Sequence, residues 1–189
     1  MRTEWIVAAI LAAIVLYAIV VFNRLIRQRN LAREGWSGID VQLKRRSDLV
    51  PNLVETVKAY AAHERNVLDD VTSKRASSLA VDAVHDRAAA EQALQGALGR
   101  LFAVAEAYPQ LKADQNFLKL QQQLAEIEDQ LQMARRYYNG TARNLNISIQ
   151  SFPNSLVAGV LGFREEPFFQ LDDRSQAAAP AISFPGGTP

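Results

Sequence analysis

The sequence contains no cysteine and only two histidines among its 189 residues. Without cysteine the chain has no disulfide, no thiolate zinc site and no cysteine nucleophile. His63-Glu64 begins like the helical motif of zinc proteases, but no second histidine follows at the spacing that zinc requires. These shortages predict no metal site, and each histidine is interpreted as a surface or loop residue.

Other signatures of chemistry are also missing. The sequence has no glycine-rich phosphate loop, and its acidic residues are scattered as on solvated helix faces. The formal net charge is +1, which gives no basic excess for nucleic acid. The sequence therefore predicts a protein that is not an enzyme. It has no predicted catalytic residue, no cofactor and no nucleic-acid partner.

One long apolar run is present at residues 5–22, without charge, glycine or proline. A bilayer core of about 30 Å needs roughly 20 apolar residues in a helix, so residues 1–23 are predicted to be a transmembrane anchor. A cleaved signal peptide would have a shorter apolar core and a small-residue cleavage site, and neither is found. The predicted anchoring side chains are Trp5, Ile10, Ile14, Tyr17 and Phe22.

Four arginines follow the apolar run: Arg24, Arg27, Arg29 and Arg33. Lysine and arginine concentrate on the cytoplasmic side of a span, so the N-terminus is predicted outside and the rest of the chain in the cytoplasm. The same arginines are candidates for binding anionic lipid headgroups. A topology signal without lipid binding stays open as the alternative.

The residues after the anchor show helical periodicity interrupted by proline. Residues 24–46 are predicted to continue the anchor helix, and Pro51 is predicted to break it and to open a second helix. The second helix fades near Ser77-Ser78, and residues 79–86 are predicted to be a loop or a frayed join. A third helix is predicted to end at Pro109.

The fourth helix carries a heptad pattern and is predicted to run about 40 residues, from Pro109 to Pro153. Its seam consists of Phe117, Leu120, Leu124, Ile127, Leu131, Ala134 and Tyr138, continued by Leu145, Ile149 and Phe152. A helix of roughly 60 Å is longer than the roughly 35 Å of residues 24–46. The fourth helix is therefore predicted to bend near Asn139-Gly140 or to overhang the first.

The predicted fold is all-α. An N-terminal transmembrane helix is followed by an antiparallel up-down bundle of four long helices, with a short apolar segment at its end. The bundle with that segment occupies residues 24–171. Residues 172–189 are rich in alanine, proline, glycine and serine and are predicted to be a disordered tail.

Polar residues beside the seam mark a candidate interaction surface. Arg136 and Arg143 are seven residues apart, as are Asn139 and Asn146, so each pair lies on one helix face. A network within the bundle is the open alternative to a partner contact. The apolar segment after Pro153 is predicted to contact lipid or another subunit, and folding back onto its own bundle is the open alternative. The predicted interaction residues are Arg136, Tyr138, Asn139, Arg143, Asn146, Phe152, Pro153, Phe163, Phe168 and Phe169.

Several short motifs together resemble the LemA family of bacterial membrane proteins. They are residues 42–57 (QLKRRSDLVPNLVETV), residues 108–113 (YPQLKA), Ala134-Arg135 with Tyr138-Asn139, Phe152-Pro153 and Gly162-Phe163. The family usually repeats Tyr-Asn, and here the second copy is Leu145-Asn146. The resemblance implies an N-terminal anchor with a cytoplasmic helical bundle, no established enzymatic activity, and an association with membrane proteases or envelope signalling.

The sequence as a whole predicts a non-enzymatic scaffold in the bacterial inner membrane. It is expected to bind membrane lipids and to form a homo-oligomer, so that it self-assembles or organises the membrane. The alternative is an adaptor that binds a membrane protease or an envelope-signalling protein. A scaffold forms large particles alone, whereas an adaptor stays small until its partner is added.

Overall fold

The computed structural model describes residues 2–81 and 83–170, which form six helices and no strand. The predicted all-α fold is confirmed. The predicted tail, 172–189, lies outside the described residues. The helices are α1 (Arg2–Tyr60), α2 (Arg65–Leu79), α3 (Val84–Glu106), α4 (Pro109–Lys112), α5 (Gln115–Gln150) and α6 (Asn154–Val160).

Helix α1 runs through the predicted break, with Pro51 inside it. The prediction that the helix ends at Arg46 was wrong. Proline lacks the N–H that would bond to the carbonyl four residues earlier, which here belongs to Ser47. The Arg75 Nε on α2 donates to that Ser47 carbonyl oxygen at 2.7 Å. A side chain from a neighbouring helix therefore supplies the missing hydrogen bond and makes the proline tolerable.

The later boundaries lie closer to those predicted. The join between α2 and α3 falls inside the predicted loop at residues 79–86. Pro109 does not open the fourth long helix, because it starts the single-turn α4. Asp114 instead caps α5: its carboxylate accepts from the Phe117 backbone N–H at 2.9 Å and from the Tyr60 hydroxyl at 2.9 Å. The cap thus ties the start of α5 to the end of α1.

Helices α1 and α5 form one antiparallel pair along the whole length of α5. Tyr60 contacts Asp114 at the far end, Gly35 faces Tyr138 midway, and Tyr17 meets Asn154 just past the end of α5. Residues 24–60 span about 55 Å and α5 about 54 Å. Because α1 is longer than predicted, the two lengths match, and α5 continues through residues 139–140 without interruption. The predicted bend or overhang followed from the misplaced break.

The core consists of three apolar clusters stacked along this pair. The distal cluster joins α1, α2, α3, α4 and α5 and includes Val57, Val71, Leu101, Leu111 and Phe117. The middle cluster includes Ile39, Leu43, Ala88, Leu131, Tyr138 and Phe169. The proximal cluster is Val21, Leu25, Leu145 and Ala158. Most of the predicted seam of α5 faces these clusters, but Phe152 lies outside them and is 81% exposed.

Candidate functional site

The chain beyond α6 folds back along α5 as an extended segment, residues 163–170, which we call the strap. Two asparagines of α5 hold its backbone. The Asn146 side chain accepts from the Glu166 N–H and donates to the Glu166 carbonyl, at 2.9 Å each. The Asn139 side chain does the same at Phe169, at 2.9 and 3.1 Å. Each amide therefore pairs with one strap residue as a neighbouring β-strand would.

The spacing of the two asparagines explains why the strap fits. Seven residues of α-helix rise about 10.5 Å. Three residues of extended chain cover about 10 Å, which is the separation of Glu166 from Phe169. The amides contact backbone atoms only, so they fix the register of the strap without reading its side chains.

The end of the strap is held by aromatic packing. Phe169 is fully buried, with its ring centroid 5.6 Å from that of Trp36, and the Arg135 guanidinium lies 5.7 Å from the same ring. The Tyr138 hydroxyl donates to the Pro167 carbonyl at 2.7 Å. Burial, assisted by the charge of Glu166, raises the pKa of Tyr138 to about 12. This hydroxyl therefore stays protonated as a structural donor.

The start of the strap lies at the end of the apolar run. Gly162 has φ of 70°, a left-handed conformation that turns the chain from α6 into the strap. The Phe163 ring packs edge-on against Phe22, with centroids 6.0 Å apart, and the Arg29 guanidinium lies 5.3 Å from the Phe163 ring. Arg29 is thus partly covered, whereas the remaining predicted headgroup residues, Arg24, Arg27 and Arg33, are exposed.

Tyr138, Asn139, Asn146 and Phe169 together hold the strap, and we call them the strap clamp. The structure places other predicted interaction residues away from this clamp. Arg136 and Arg143 are exposed on α5, and neither forms an ion pair within residues 2–81 and 83–170. Phe152, Pro153 and Phe168 are also exposed. The clamp therefore unites Tyr138, Asn139, Asn146 and Phe169, while the two arginines and the turn at Phe152 point outward.

The predicted anchor forms the start of α1. Among the helices of the described residues, α1 is the one that is apolar and long enough to cross a membrane. The mean hydropathy of its most apolar stretch is 2.9. The five predicted anchoring side chains, Trp5, Ile10, Ile14, Tyr17 and Phe22, are exposed, as contact with lipid requires. No linker separates the span from the bundle, because one helix contains both.

Sequence reasoning missed a buried ionic cluster between the distal and middle clusters. Arg46 is fully buried and donates to Glu128 at 2.6 Å and to Glu91, which also accepts from Ser78. Burial alone would lower the pKa of Arg46, but the charges and hydrogen bonds of Glu128 and Glu91 outweigh it and raise that pKa. The sequence contained a signal for the burial of Arg46. It follows Ile39 and Leu43 at steps of four and three residues, which places it on the same buried face of the helix.

The clamp asparagines hold the strap, and the ionic cluster joins α1, α3 and α5. No group of three or more metal-binding side chains occurs in the described part of the chain. The profile of the LemA family matches residues 35–184, which is most of the chain. The chain belongs to the LemA family.

Named relatives support the assignment. The chain is 28% identical over 155 residues to Protein LemA of Metamycoplasma hominis, covering 80% of this chain and 69% of that protein. It is 24% identical over 185 residues to Magnetosome protein MamQ of Magnetospirillum gryphiswaldense, covering 84% and 68%. It is 26% identical over 160 residues to MamQ 1 of Paramagnetospirillum magneticum, covering 71% of this chain and 59% of that protein. The chain thus spans less than two thirds of MamQ 1.

The motifs that carried the LemA resemblance occupy the points where this fold turns or is clamped. Pro51 is accommodated through Ser47, Tyr138-Asn139 holds the strap, and Gly162-Phe163 begins it. The departure at Leu145 is also explained. Leu145 is fully buried among the apolar side chains of the proximal cluster. A tyrosine there would need a hydrogen-bond partner for its buried hydroxyl, whereas leucine needs none.

Proposed function

We propose that this LemA-family protein is a non-enzymatic scaffold, anchored in the membrane by α1, that self-assembles through one flank of the α1–α5 pair. The observation that carries the proposal is that the two flanks differ. Helix α3 and the strap cover one flank. Arg46 of α1 meets Glu91 of α3 there, and Phe169 of the strap shares the middle cluster with Ala88 of α3. The opposite flank has no helix over it among the described residues and forms an open groove.

The uncovered flank is a groove of about 590 Å³ between α1 and α5. It is lined by Gln42, Arg45, Asp48, Leu49, Gln123, Glu126, Ile127 and Gln130. The Gln42 side-chain carbonyl is buried there without a hydrogen-bond donor in the described residues. A buried acceptor without a donor is costly, so a partner surface that supplies one would be favoured.

The charges of the groove favour a second copy of the chain as the partner. Arg45 lies on the α1 wall and Glu126 on the α5 wall, and the two form no ion pair with each other. A two-fold interface presents the same surface on both subunits, so Arg45 of one copy can meet Glu126 of the other. A mixed groove of this kind is self-complementary, and the membrane fixes both copies in the same orientation.

Cross-linking in native membranes tests this interface. The chain has no cysteine, so Gln130→Cys places a single thiol in the groove of the full-length protein. A short bis-maleimide is expected to convert this variant largely to a dimer. The matched control is Ser73→Cys, an exposed position on α2 outside the groove, which is expected to stay monomeric.

Two results would contradict the proposal. Equal cross-linking of both variants would indicate random collision, and no cross-linking of Gln130→Cys would show that the groove is not an interface between copies. A protein that stays monomeric in its own membrane and gains mass only when a second protein is added would favour the adaptor function.

A further inference from the structure

We propose that the turn between α5 and α6, with α6 itself (residues 151–161), is inserted into the cytoplasmic leaflet beside the anchor, with lipid acyl chains covering its apolar side chains. We call this segment the re-entrant turn. The inference rests on the proposed membrane attachment of α1. It names the part of the bundle that also enters the bilayer.

The register of the helices sets the depth of the turn. The Asn154 side-chain oxygen accepts a hydrogen bond from the Tyr17 hydroxyl at 2.8 Å. Tyr17 is five residues before Phe22, the last apolar residue of the span, and so lies about 8 Å inside it. Pro153 also lines an apolar cleft of about 590 Å³ with Ile14, one turn deeper. The turn therefore lies level with side chains that bilayer hydrocarbon surrounds.

The side chains of the turn have the character that this depth requires. Exposed apolar residues cluster on it: Phe152 81%, Leu156 63%, Val160 88% and Leu161 48% exposed. No charged residue occurs from 144 to 163, and the uncharged stretch ends at Arg143 and Arg164. The anchor ends in the same way at Arg24. Basic residues at such limits are suited to the headgroup layer.

Several polar groups of the turn are hydrogen-bonded within the turn or to the end of α5. Backbone bonds link Ser151 N–H to the Ile147 carbonyl and Ser155 N–H to the Ser151 carbonyl, at 2.9 and 2.8 Å. The Ser151 hydroxyl donates to the Ile147 carbonyl at 2.6 Å. Irregular backbone at membrane depth is tolerated where its hydrogen bonds are made within the protein. These three donors of the turn meet this condition.

Insertion into a single leaflet has a consequence for the membrane. The anchor crosses both leaflets, whereas the turn adds cross-section to the cytoplasmic leaflet alone. Shallow apolar insertion of this kind depends on membrane curvature. A set of assembled copies would therefore favour membrane whose cytoplasmic leaflet is convex, and this adds a preference for membrane shape to the proposed scaffold.

Fluorescence quenching in vesicles tests the depth of the turn. Full-length protein carrying a single environment-sensitive label at Phe152→Cys or Val160→Cys is reconstituted in phosphatidylcholine–phosphatidylglycerol vesicles. Lipids with nitroxide on the acyl chain are expected to quench these labels several-fold more than aqueous iodide does. Val41→Cys, an exposed site farther along α1, is expected to show the reverse order.

A third label separates failure of the turn from failure of the anchor. Leu11→Cys lies within the span and is exposed, so acyl-chain nitroxide should quench it. If Leu11→Cys is quenched by lipid and the turn labels by iodide, the inserted turn is overturned and the anchor stands. Turn labels protected from both quenchers would mean that protein covers the turn, which also overturns the proposal. If Leu11→Cys is not quenched by lipid, membrane attachment and inserted turn fall together.

Discussion

The side chains of Asn139 and Asn146 bind the backbone of the strap. Their effect therefore depends on each amide having one donor and one acceptor, rather than on the size of the side chain. In each amide the oxygen accepts an N–H and the nitrogen donates to a carbonyl of the same strap residue. The sequence predicted that Asn139 and Asn146 share a helix face. It could not predict their target, because backbone recognition leaves no pattern in the strap residues.

Replacing Asn139 with aspartate should loosen the strap. Aspartate keeps the acceptor for the Phe169 N–H but turns an oxygen toward the Phe169 carbonyl, which costs about 1–3 kcal/mol for the unsatisfied group. Phe169 should then leave Trp36, and tryptophan emission should shift to the red in a Trp5→Phe background. Asn144→Asp, exposed on the same helix, is the control. Equal emission from the two variants would show that Asn139 does not hold the strap.

Tyr138 gives the strap a dependence on alkaline pH. Its pKa is raised to about 12, above the roughly 10 of an unfolded tyrosine, so the folded state favours the neutral hydroxyl. The stabilisation is therefore complete below about pH 10 and is lost as the pH rises toward 12. The free energy of unfolding should fall over this window more steeply than in Tyr138→Phe. Parallel curves for the two proteins would contradict the assigned cause.

Helix α1 shows at the scale of the element what local sequence signals leave out. Considered alone, a proline inside a helix predicts a break. Here Arg75 from α2 donates to the Ser47 carbonyl that Pro51 leaves without a partner, and the helix continues. Such compensation is a tertiary contact and is invisible to a reading of one helix. The apolar periodicity was the better guide, because Val50, Leu53 and Val57 continue the buried face past the proline.

Close approach of α1 and α5 depends on Gly35. A Cβ at this position would lie 3.0 Å from the Tyr138 Cα, a backbone atom that cannot move alone. Gly35→Ala should therefore lower the free energy of unfolding by about 1–3 kcal/mol through overpacking, despite better helix propensity. Denaturation followed by circular dichroism measures the change.

The matched substitution is Gly140→Ala on α5, where a Cβ meets nothing within 4 Å. It should raise stability by up to about 1 kcal/mol through propensity alone. Destabilisation of both variants by the same amount would mean that helix–helix spacing at Gly35 is not the cause.

At the scale of the whole molecule, the length of α1 beyond the predicted span matches that of α5. In the proposed arrangement, the end of α5 therefore lies at the membrane. The general plan of anchor and antiparallel bundle was predictable from hydrophobic patterning. The position of the turn was not, because it depended on the true length of α1. The uncovered groove was likewise unpredictable, since its existence depends on which flank the strap and α3 occupy.

The orientation in the membrane is tested by a reporter fused after Phe169. The four arginines after the span predict that this end is cytoplasmic, so a cytoplasmic reporter should be active and a periplasmic one silent. Replacing all four arginines with glutamine should weaken this preference. A periplasmic reporter that is active in the unaltered chain would reverse the orientation and place the turn in the outer leaflet.

The mass of the solubilised full-length protein tests self-assembly most directly. Light scattering should give a multiple of the 20.9 kDa chain for the unaltered protein and for Arg65→Glu, an exposed position on α2. Arg45→Glu repels Glu126 across the proposed interface, so it should give a smaller mass with unchanged helix content. A mass of one chain for all three proteins would contradict the scaffold account.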